Sequence, residues 1–379
     1  MIWSVGSVLL LQARPPKRPV TEVVVAARTS TDTAQQPKAC IERKFPTDDD
    51  SDAATAHAEN QFISGDYEGA RQTLRAAIRR HRGAAKTFPV AVADLWRSDA
   101  RVSAHLGLGS AYRLSAIAAI AALKTGLGED DPRYIAQRLE LGDAYARLGD
   151  IERAREVYRW GIRRTAQSGA EKVRGYALFR LAALEVGLNG GNSTVARETI
   201  AELIGSTSAA MAPYRTAGLL LDARSRMKED GGAAFERILA GLRTQSGERP
   251  ILIGTGLTVQ SQRNSVSRDL TNDESDGASA AQWVDIGFWI RPDGSVADVD
   301  MMRESPDLER DWVAEVSRTI ATRRYAPLAT VRDGPGLFRV ERYTRTLLSI
   351  KDYRSREPNG NVQILMFDLS SDPVPQVPR

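Results

Sequence analysis

The sequence predicts a mainly α protein: a solenoid of stacked helix pairs, followed by a small α+β domain made of a β-hairpin, a helix and a strand. Three observations lead there. A glycine-marked pattern returns every 42 residues through the middle of the chain. From about residue 53 the composition shifts to Ala, Arg, Leu and Glu, all strong helix formers. Beyond residue 281 the periodicity changes from helical to strict alternation, the mark of strands with one buried face.

The repeat carries most of this reading. Gly65-Asp66-Tyr67-Glu68-Gly69-Ala70 returns as Gly149-Asp150-Ile151-Glu152-Arg153-Ala154 and as Gly191-Asn192-Ser193-Thr194-Val195-Ala196. The spacings are 84 and then 42 residues, so a copy is owed at Gly107. It is present in degraded form, Gly107-Leu108-Gly109-Ser110-Ala111-Tyr112, with Tyr where the others have Ala. Downstream, Leu74, Ala116, Tyr158 and Ile200 keep the register, as do Ala77-Ile78, Ala119-Ile120, Gly161-Ile162 and Leu203-Ile204.

Such a pattern describes a helix pair. A Gly turn ends the first helix, because glycine accepts left-handed dihedrals, and the polar residue after it caps the second. The small Ala lets the helices approach, and apolar residues spaced by four and then three or four form one stripe for burial. One pair cannot bury that stripe alone, so neighbouring pairs must stack.

These residues resemble the tetratricopeptide repeat family. In the best copy, Leu141-Gly142, Tyr145, Gly149-Asp150, Ala154, Tyr158 and Gly161-Ile162 sit at the positions of its signature. The 42-residue spacing, with Leu127-Gly128-Glu129-Asp130-Asp131-Pro132 between copies, is similar to the kinesin-light-chain subtype. The resemblance covers residues 53 to 205, and a fifth pair, Ala217 to Lys228 and Ala233 to Leu242, reads as a divergent cap. It implies a concave surface that binds a protein or peptide partner.

The ends and joints are read from composition. Ile2 to Leu11 is a short apolar run, broken by Arg14 to Pro19, so residues 1–13 read as a truncated export signal. Residues 14–52 read as a linker ending in the acidic run Asp48-Asp49-Asp50-Ser51-Asp52, which lacks the Gly and distal Glu of an EF-hand. The helical repeats are assigned to 53–245 and a polar connector to 246–281. No stretch approaches the roughly 20 apolar residues of a membrane-spanning helix.

Charge points away from nucleic acid. Of 52 basic residues only eight are Lys, and the Arg residues are interleaved with acids, as in Glu152-Arg153-Ala154-Arg155-Glu156. That is the pattern of a salt-bridged helix surface, not of a segregated basic footprint. A single cysteine, Cys40, excludes an intramolecular disulfide and a thiolate metal cluster.

In the second domain, Val284, Ile286, Phe288 and Ile290 alternate with Asp285, Gly287 and Trp289. Pro292-Asp293-Gly294 supplies a turn, and Val296 to Met301 returns as the second strand of a hairpin. Ser305-Pro306-Asp307 reads as a helix start, with Leu308, Trp312, Val313, Val316 and Ile320 on one face. Tyr325-Ala326-Pro327 ends that helix, and Phe338 to Ile350 is the last strand expected, with 351–379 as a tail.

Phe288-Trp289-Ile290-Arg291-Pro292-Asp293-Gly294-Ser295-Val296 and Arg324-Tyr325-Ala326-Pro327 resemble the signatures of the TonB C-terminal domain, over residues 282–350. The resemblance implies a Gram-negative envelope protein, periplasmic or otherwise exported, whose partner is an outer-membrane transporter or another envelope protein. It also implies docking by strand addition to an open sheet edge. The long final strand is the edge expected, with Arg339, Glu341, Tyr343 and Arg345 on one face as the partner-binding residues. The membrane helix and Pro-rich spacer of an energy transducer do not appear, so the fold is carried over and force transduction is not. A diverged transducer whose start lies upstream is the alternative, and a cytoplasmic location follows if the apolar run is no signal.

Catalytic patterns do not assemble. His57, His81 and His105 lie 24 residues apart, unlike a His-Glu-x-x-His zinc site, and neither a P-loop nor a Gly-x-Ser-x-Gly elbow occurs. Gly254-Thr255-Gly256 lacks the third glycine of a dinucleotide loop. Trp283, Trp289 and Tyr325 read as packing residues, and Asp298 and Asp300 as a solvated strand face. The expectation is a non-enzymatic binding protein with no catalytic, cofactor or metal residues; a hydrolase at the inter-domain cleft is the remaining enzymatic alternative.

Overall fold

The computed structural model describes residues 47–147, 149–189, 193–226, 232–241, 250, 252–254, 281–306, 308–328, 336–350 and 359–370. Among the described residues ten α-helices form the first part: α1 (Thr47–Ser64), α2 (Tyr67–His81), α3 (Pro89–His105), α4 (Gly109–Leu127), α5 (Pro132–Arg147), α6 (Ile151–Ser168), α7 (Glu171–Asn189), α8 (Thr194–Gly205), α9 (Ala212–Ser225) and α10 (Ala233–Gly241). They pack as successive antiparallel-type pairs, each against the next.

The repeat glycines do what the pattern requires. Gly65, Gly107 and Gly149 have φ of +90°, +74° and +80°, the left-handed region that ends a helix. Gly191 lies outside the described residues. Asp66 accepts the Gly69 N–H at 2.8 Å and Asp150 the Arg153 N–H at 3.3 Å, capping α2 and α6. In the fourth copy the cap is Ser193, which accepts the Ala196 N–H at 3.2 Å, one residue later than the register of Asp66 and Asp150.

Stripe residues Ala70, Leu74, Ala77 and Ile78 are buried, as are Ala154, Tyr158 and Gly161, and Ala196, Ile200 and Leu203. A buried Leu, Ile or Tyr contributes roughly 1.5–3 kcal/mol over an exposed one, and this stacking supplies the solenoid's cohesion. The degraded second copy departs for a reason. On α4 the buried set is Gly109, Ser115, Ala119, Ala122 and Leu123, while the register positions Tyr112 and Ala116 turn towards a cleft.

The first helix starts earlier than composition indicates. Thr47 to Asp52, read as the end of a linker, is the first turn and a half of α1, with Asp48, Asp49 and Asp50 favourably placed at its positive end. Asp50 accepts from Arg80 at 2.8 Å and pairs with His81, fastening α1 to the end of α2.

The second part is a four-stranded antiparallel sheet of order β3-β2-β5-β6, built from β2 (Gln282–Ile290), β3 (Val296–Glu304), β5 (Leu337–Ile350) and β6 (Asn359–Asp368). Helix α11 (Arg310–Ala321) covers one face, burying Trp312, Val313, Val316 and Ile320 against Val284, Ile286, Phe288 and Ile290. Its start differs from the expected one. Ser305 does not cap it but accepts the Trp283 N–H at 2.9 Å, and the helix opens at Arg310 after Glu309.

A short pair, β1 (Leu252–Gly254) with β4 (Arg324–Tyr325), stands beside the sheet, with β1 inside the segment read as connector. Gly294, φ +85°, is the hairpin turn. Tyr325 donates its N–H to Gly294 O at 2.8 Å, and Leu328 to Pro292 O at 3.0 Å. A Cβ on Gly294 would fall 1.9 Å from Tyr325 O. The turn and the Arg324-Tyr325-Ala326-Pro327 segment, far apart in sequence, are therefore one packed unit.

Candidate partner-binding cleft

Alternation in β2 predicts one buried face, but both faces are covered. Asp285, on the face away from α11, is fully buried, as is its neighbour across the sheet, Arg342. Arg342 donates Nε to Asp285 Oδ1 at 2.6 Å and Nη2 to Oδ2 at 2.9 Å. The same guanidinium donates to Phe62 O at 2.5 Å and Ile63 O at 2.8 Å, carbonyls in the last turn of α1. Helix ends leave their last carbonyls without intrahelical partners, and Arg342 serves this end together with the sheet's buried acid, beside Arg303 on Asp285 Oδ2 at 2.9 Å and the Gly65 N–H on Phe62 O at 3.0 Å.

Other side chains close the same joint. The Trp283 ring lies 3.9 Å from the Arg342 guanidinium and rests on the Gly65 turn, where a Cβ would come within 2.6 Å of it. Thr344 bonds His105 Nδ1 at 2.8 Å and Tyr67 Oη at 3.2 Å. Burial, reinforced by the charges of Arg342 and Arg101, lowers the His105 pKa to about 3, so the imidazole stays neutral at ordinary pH. Phe367 of β6 packs edge-on against Phe62, centroids 5.2 Å apart, with Arg101 stacked 5.2 Å over it.

This docking sets β6 beside α1, α3, α4 and α5, and between them lies a cleft of about 570 Å³. Its helical wall carries Glu59, Arg97, Arg101, Tyr112, Gln137 and Glu140, and its strand wall Gln363, Leu365, Met366 and Phe367. A smaller space of about 210 Å³ continues past Arg101 and Phe367 towards Ile63 and Ser370. Inside the main cleft Asp94 pairs with Arg97, and Glu59 stands 3.9 Å from Arg101.

The residues expected to form an open edge do not do so. Over Glu341–Arg345 β5 is paired on both sides, with β2 and with β6, so this stretch offers no free edge for strand addition. The physical reason is β6, which lies in the segment read as a tail. Arg339, Glu341, Tyr343 and Arg345 do share a face, but each is held within the chain. Arg323 bonds Glu341 at 2.7 Å and Tyr343 Oη at 2.6 Å, while Arg339 pairs with Asp368 and Arg345 with Glu309. Burial and the Glu341 charge raise the Tyr343 pKa, so the phenol stays protonated.

The outer strands are β3 and β6, and they differ in chemistry. β3 carries Asp298, Asp300, Arg303 and Glu304, whereas β6 has no charged residue from Asn359 to Phe367. Sequence alternation misses β6 because apolar residues fall on both of its faces, Ile364 and Met366 on one and Leu365 and Phe367 on the other, which leaves no period of two.

The histidines are not gathered into one site: His81 pairs with Asp50, and His105 with Thr344. Among the described residues no group of three or more His, Cys, Asp or Glu is arranged to hold a metal ion, and no helix is long and apolar enough to cross a membrane. Trp289 packs on Phe338 and Tyr325 on Phe288, the packing roles expected of them. Asp298 and Asp300 are exposed on β3.

No known family description matches the sequence, and no curated protein matches it. Solved structures similar to it include BtubC (BKLC) from P. vanneervenii, 13% identical, covering 57% of this chain and 92% of that one with a TM-score of 0.46. Two crystal structures of a Podosopora anserina putative kinesin light chain with nearly identical TPR-like repeats are each 14% identical. They cover 54% and 56% of this chain and 95% and 96% of theirs, with TM-scores of 0.40 and 0.38. The repeat character of this chain rests on its own capped, glycine-ended helix pairs.

Proposed function

We propose that this chain is a non-enzymatic adaptor that receives an extended segment of a partner protein along the free edge of β6, with alternate side chains entering the cleft against the helical array. One observation carries this reading. β6 is an outermost strand, uncharged over Asn359–Phe367, and its Gln363, Leu365 and Phe367 line the 570 Å³ cleft.

An unpaired strand edge is a template for another strand, and proteins ordinarily blunt such edges with charge. β3 is blunted in that way and β6 is not. Main-chain hydrogen bonds to β6 supply affinity, and the helical wall of the cleft reads the side chains. The tetratricopeptide resemblance supports a protein partner, and the TonB C-terminal resemblance supports strand addition, moved from β5 to β6.

The same resemblance supports work in the envelope of a Gram-negative bacterium, with an outer-membrane transporter or other envelope protein as partner, and the apolar run Ile2 to Leu11 supports export. The test is a photo-crosslinking residue at Leu365, compared with one at Asp300 on the opposite edge, in the native host after fractionation. The reading expects a single envelope protein captured from position 365 through one short segment. Equal capture from both edges, or a cytoplasmic pool with no adduct, would overturn it.

A further inference from the structure

The smaller space beside the cleft lies where β6 ends, and Glu59, Ser98, Arg101 and Phe367 line both. Its apolar wall is drawn from the core of the first helices: Phe62, Leu74 and Val102 pack together there, and all three face this space. Ile63, which also lines it, is a large apolar side chain left 37% exposed. The polar lining comes from Glu59, Ser98 and Arg101 on the helices and from Asp368 and Ser370 after the strand. An apolar wall with polar groups around it is the anatomy of a pocket that takes one anchoring side chain.

Size narrows the occupant. The space measures about 210 Å³, and an apolar cavity of about 150 Å³ already admits a benzene ring. It has room for one aromatic side chain and not for a helix. Phe62 and Phe367 meet edge-on with centroids 5.2 Å apart, so a further ring entering here finds aromatic neighbours as well as aliphatic ones.

The register of β6 leads to the same place. Leu369 donates its N–H to Val340 O at 2.9 Å, which fixes the parity of the antiparallel ladder. Gln363, Leu365 and Phe367 direct their main-chain groups to β5, and Val362, Ile364 and Met366 direct theirs outward. A strand bonded to those three sets one residue opposite Phe367, its side chain on the same face and its Cβ about 5 Å away. Phe367 lines the pocket.

Resting on the strand-addition reading, we infer that the partner segment carries a phenylalanine opposite Phe367, and that its ring enters this pocket and anchors the strand. Leucine there lacks the ring contacts, and alanine leaves the space unfilled. Glutamate sets a charge against Leu74 and Val102.

The test titrates ten-residue peptides of alternating Thr and Val, with Phe, Leu, Ala or Glu at each cleft-facing position in turn, into the full chain labelled at its Ile, Leu and Val methyls for NMR. At one register the Phe peptide is expected to bind about thirty-fold tighter than the Ala peptide, with Leu between them and Glu weakest. At that register the ring current of the Phe peptide shifts the Leu74 and Val102 methyls, and the Ala peptide leaves them in place. Ile63→Asp, at an exposed position, sets a carboxylate in the pocket wall and cuts the preference for Phe to about three-fold or less, with the Ala peptide within about two-fold of its former affinity. Equal binding of Phe and Ala at every register, or Leu74 and Val102 methyls that do not move, overturns the anchor and leaves strand addition standing on the affinity of the Ala peptide. If no peptide binds, both are overturned.

Discussion

Arg342 and Asp285 meet in a buried fork, Nε to Oδ1 at 2.6 Å and Nη2 to Oδ2 at 2.9 Å, and the remaining donors of that guanidinium reach the Phe62 and Ile63 carbonyls. One side chain thus joins the sheet to the first helix of the array. Together with Thr344 on His105 and Phe367 on Phe62, it holds this side of the sheet, β6 included, against the array.

Removing it leaves the buried Asp285 carboxylate with Arg303 alone and takes the arginine from the Ile63 carbonyl, while Phe62 O keeps the Gly65 N–H. Arg342→Met is expected to destabilise the chain by about 3 kcal/mol, the low end of the cost of breaking a buried pair from one side, because Arg303 still pairs with Asp285. Arg342→Lys keeps the charge but loses the fork, and recovers only part of that. Urea unfolding of each, with Asp285→Ala and the double variant, gives the coupling between the two; a cycle that adds without coupling contradicts the joint.

Gly65 and Gly149 make a matched pair of repeat glycines. Both have φ near +85°, yet a Cβ on Gly65 meets the Trp283 ring at 2.6 Å, while a Cβ on Gly149 meets nothing within 4 Å. Gly149→Ala therefore bears only the backbone strain, about 1 kcal/mol. Gly65→Ala bears that and the displaced ring, about 2–3 kcal/mol in all. Equal losses in unfolding experiments would mean that Trp283 does not rest on the turn.

His105 provides a pH dependence with a definite sign. Its folded pKa, lowered to about 3 by burial and by the nearby Arg342 and Arg101 charges, lies below the unfolded value of 6.5. Between those values the unfolded chain binds the extra proton, so the neutral imidazole's contribution is whole above pH 6.5 and falls as the pH drops towards 3. The slope approaches about 1.4 kcal/mol per pH unit. His105→Gln, which cannot take the proton, should flatten the stability profile between pH 6.5 and 5, above most carboxylate titration.

Much of this architecture is legible in the residues and some is not. The Gly65, Gly107 and Gly149 turns and the stripes from Leu74, Tyr158 and Ile200 declare themselves because they answer to local geometry repeated in register. Val284 to Ile290 does so because alternation is local too. The burial of Asp285 is hidden, since its partner Arg342 is 57 positions away and the surface that covers both is α1, about 280 positions from Arg342. β6 is hidden because a strand with apolar residues on both faces shows no alternation, and the outermost strand of the sheet is hidden with it. The cleft leaves one trace in the sequence: Tyr112 stands where the other copies have Ala, at the point where α4 turns to line it.

Asp143 holds three neighbours, accepting from Tyr158 at 2.6 Å, Tyr176 at 2.6 Å and Arg180 at 2.7 Å, and so ties α5 to α6 and α7. Asp143→Ala strands three donors and is expected to cost about 2–4 kcal/mol, whereas Tyr176→Phe removes one bond and costs about 1 kcal/mol. Thermal unfolding ranks the two; a loss for Asp143→Ala no greater than for Tyr176→Phe would contradict the shared role.

Strand addition to β6 is tested most directly by amide hydrogen exchange across Val362–Phe367, with and without the captured partner segment. An antiparallel or parallel strand on an edge bonds the amides of every second residue, so binding should slow exchange at alternate positions of β6 and leave β3 unchanged. Protection confined to the helices α1, α3 and α5, with β6 exchanging as before, would contradict the account.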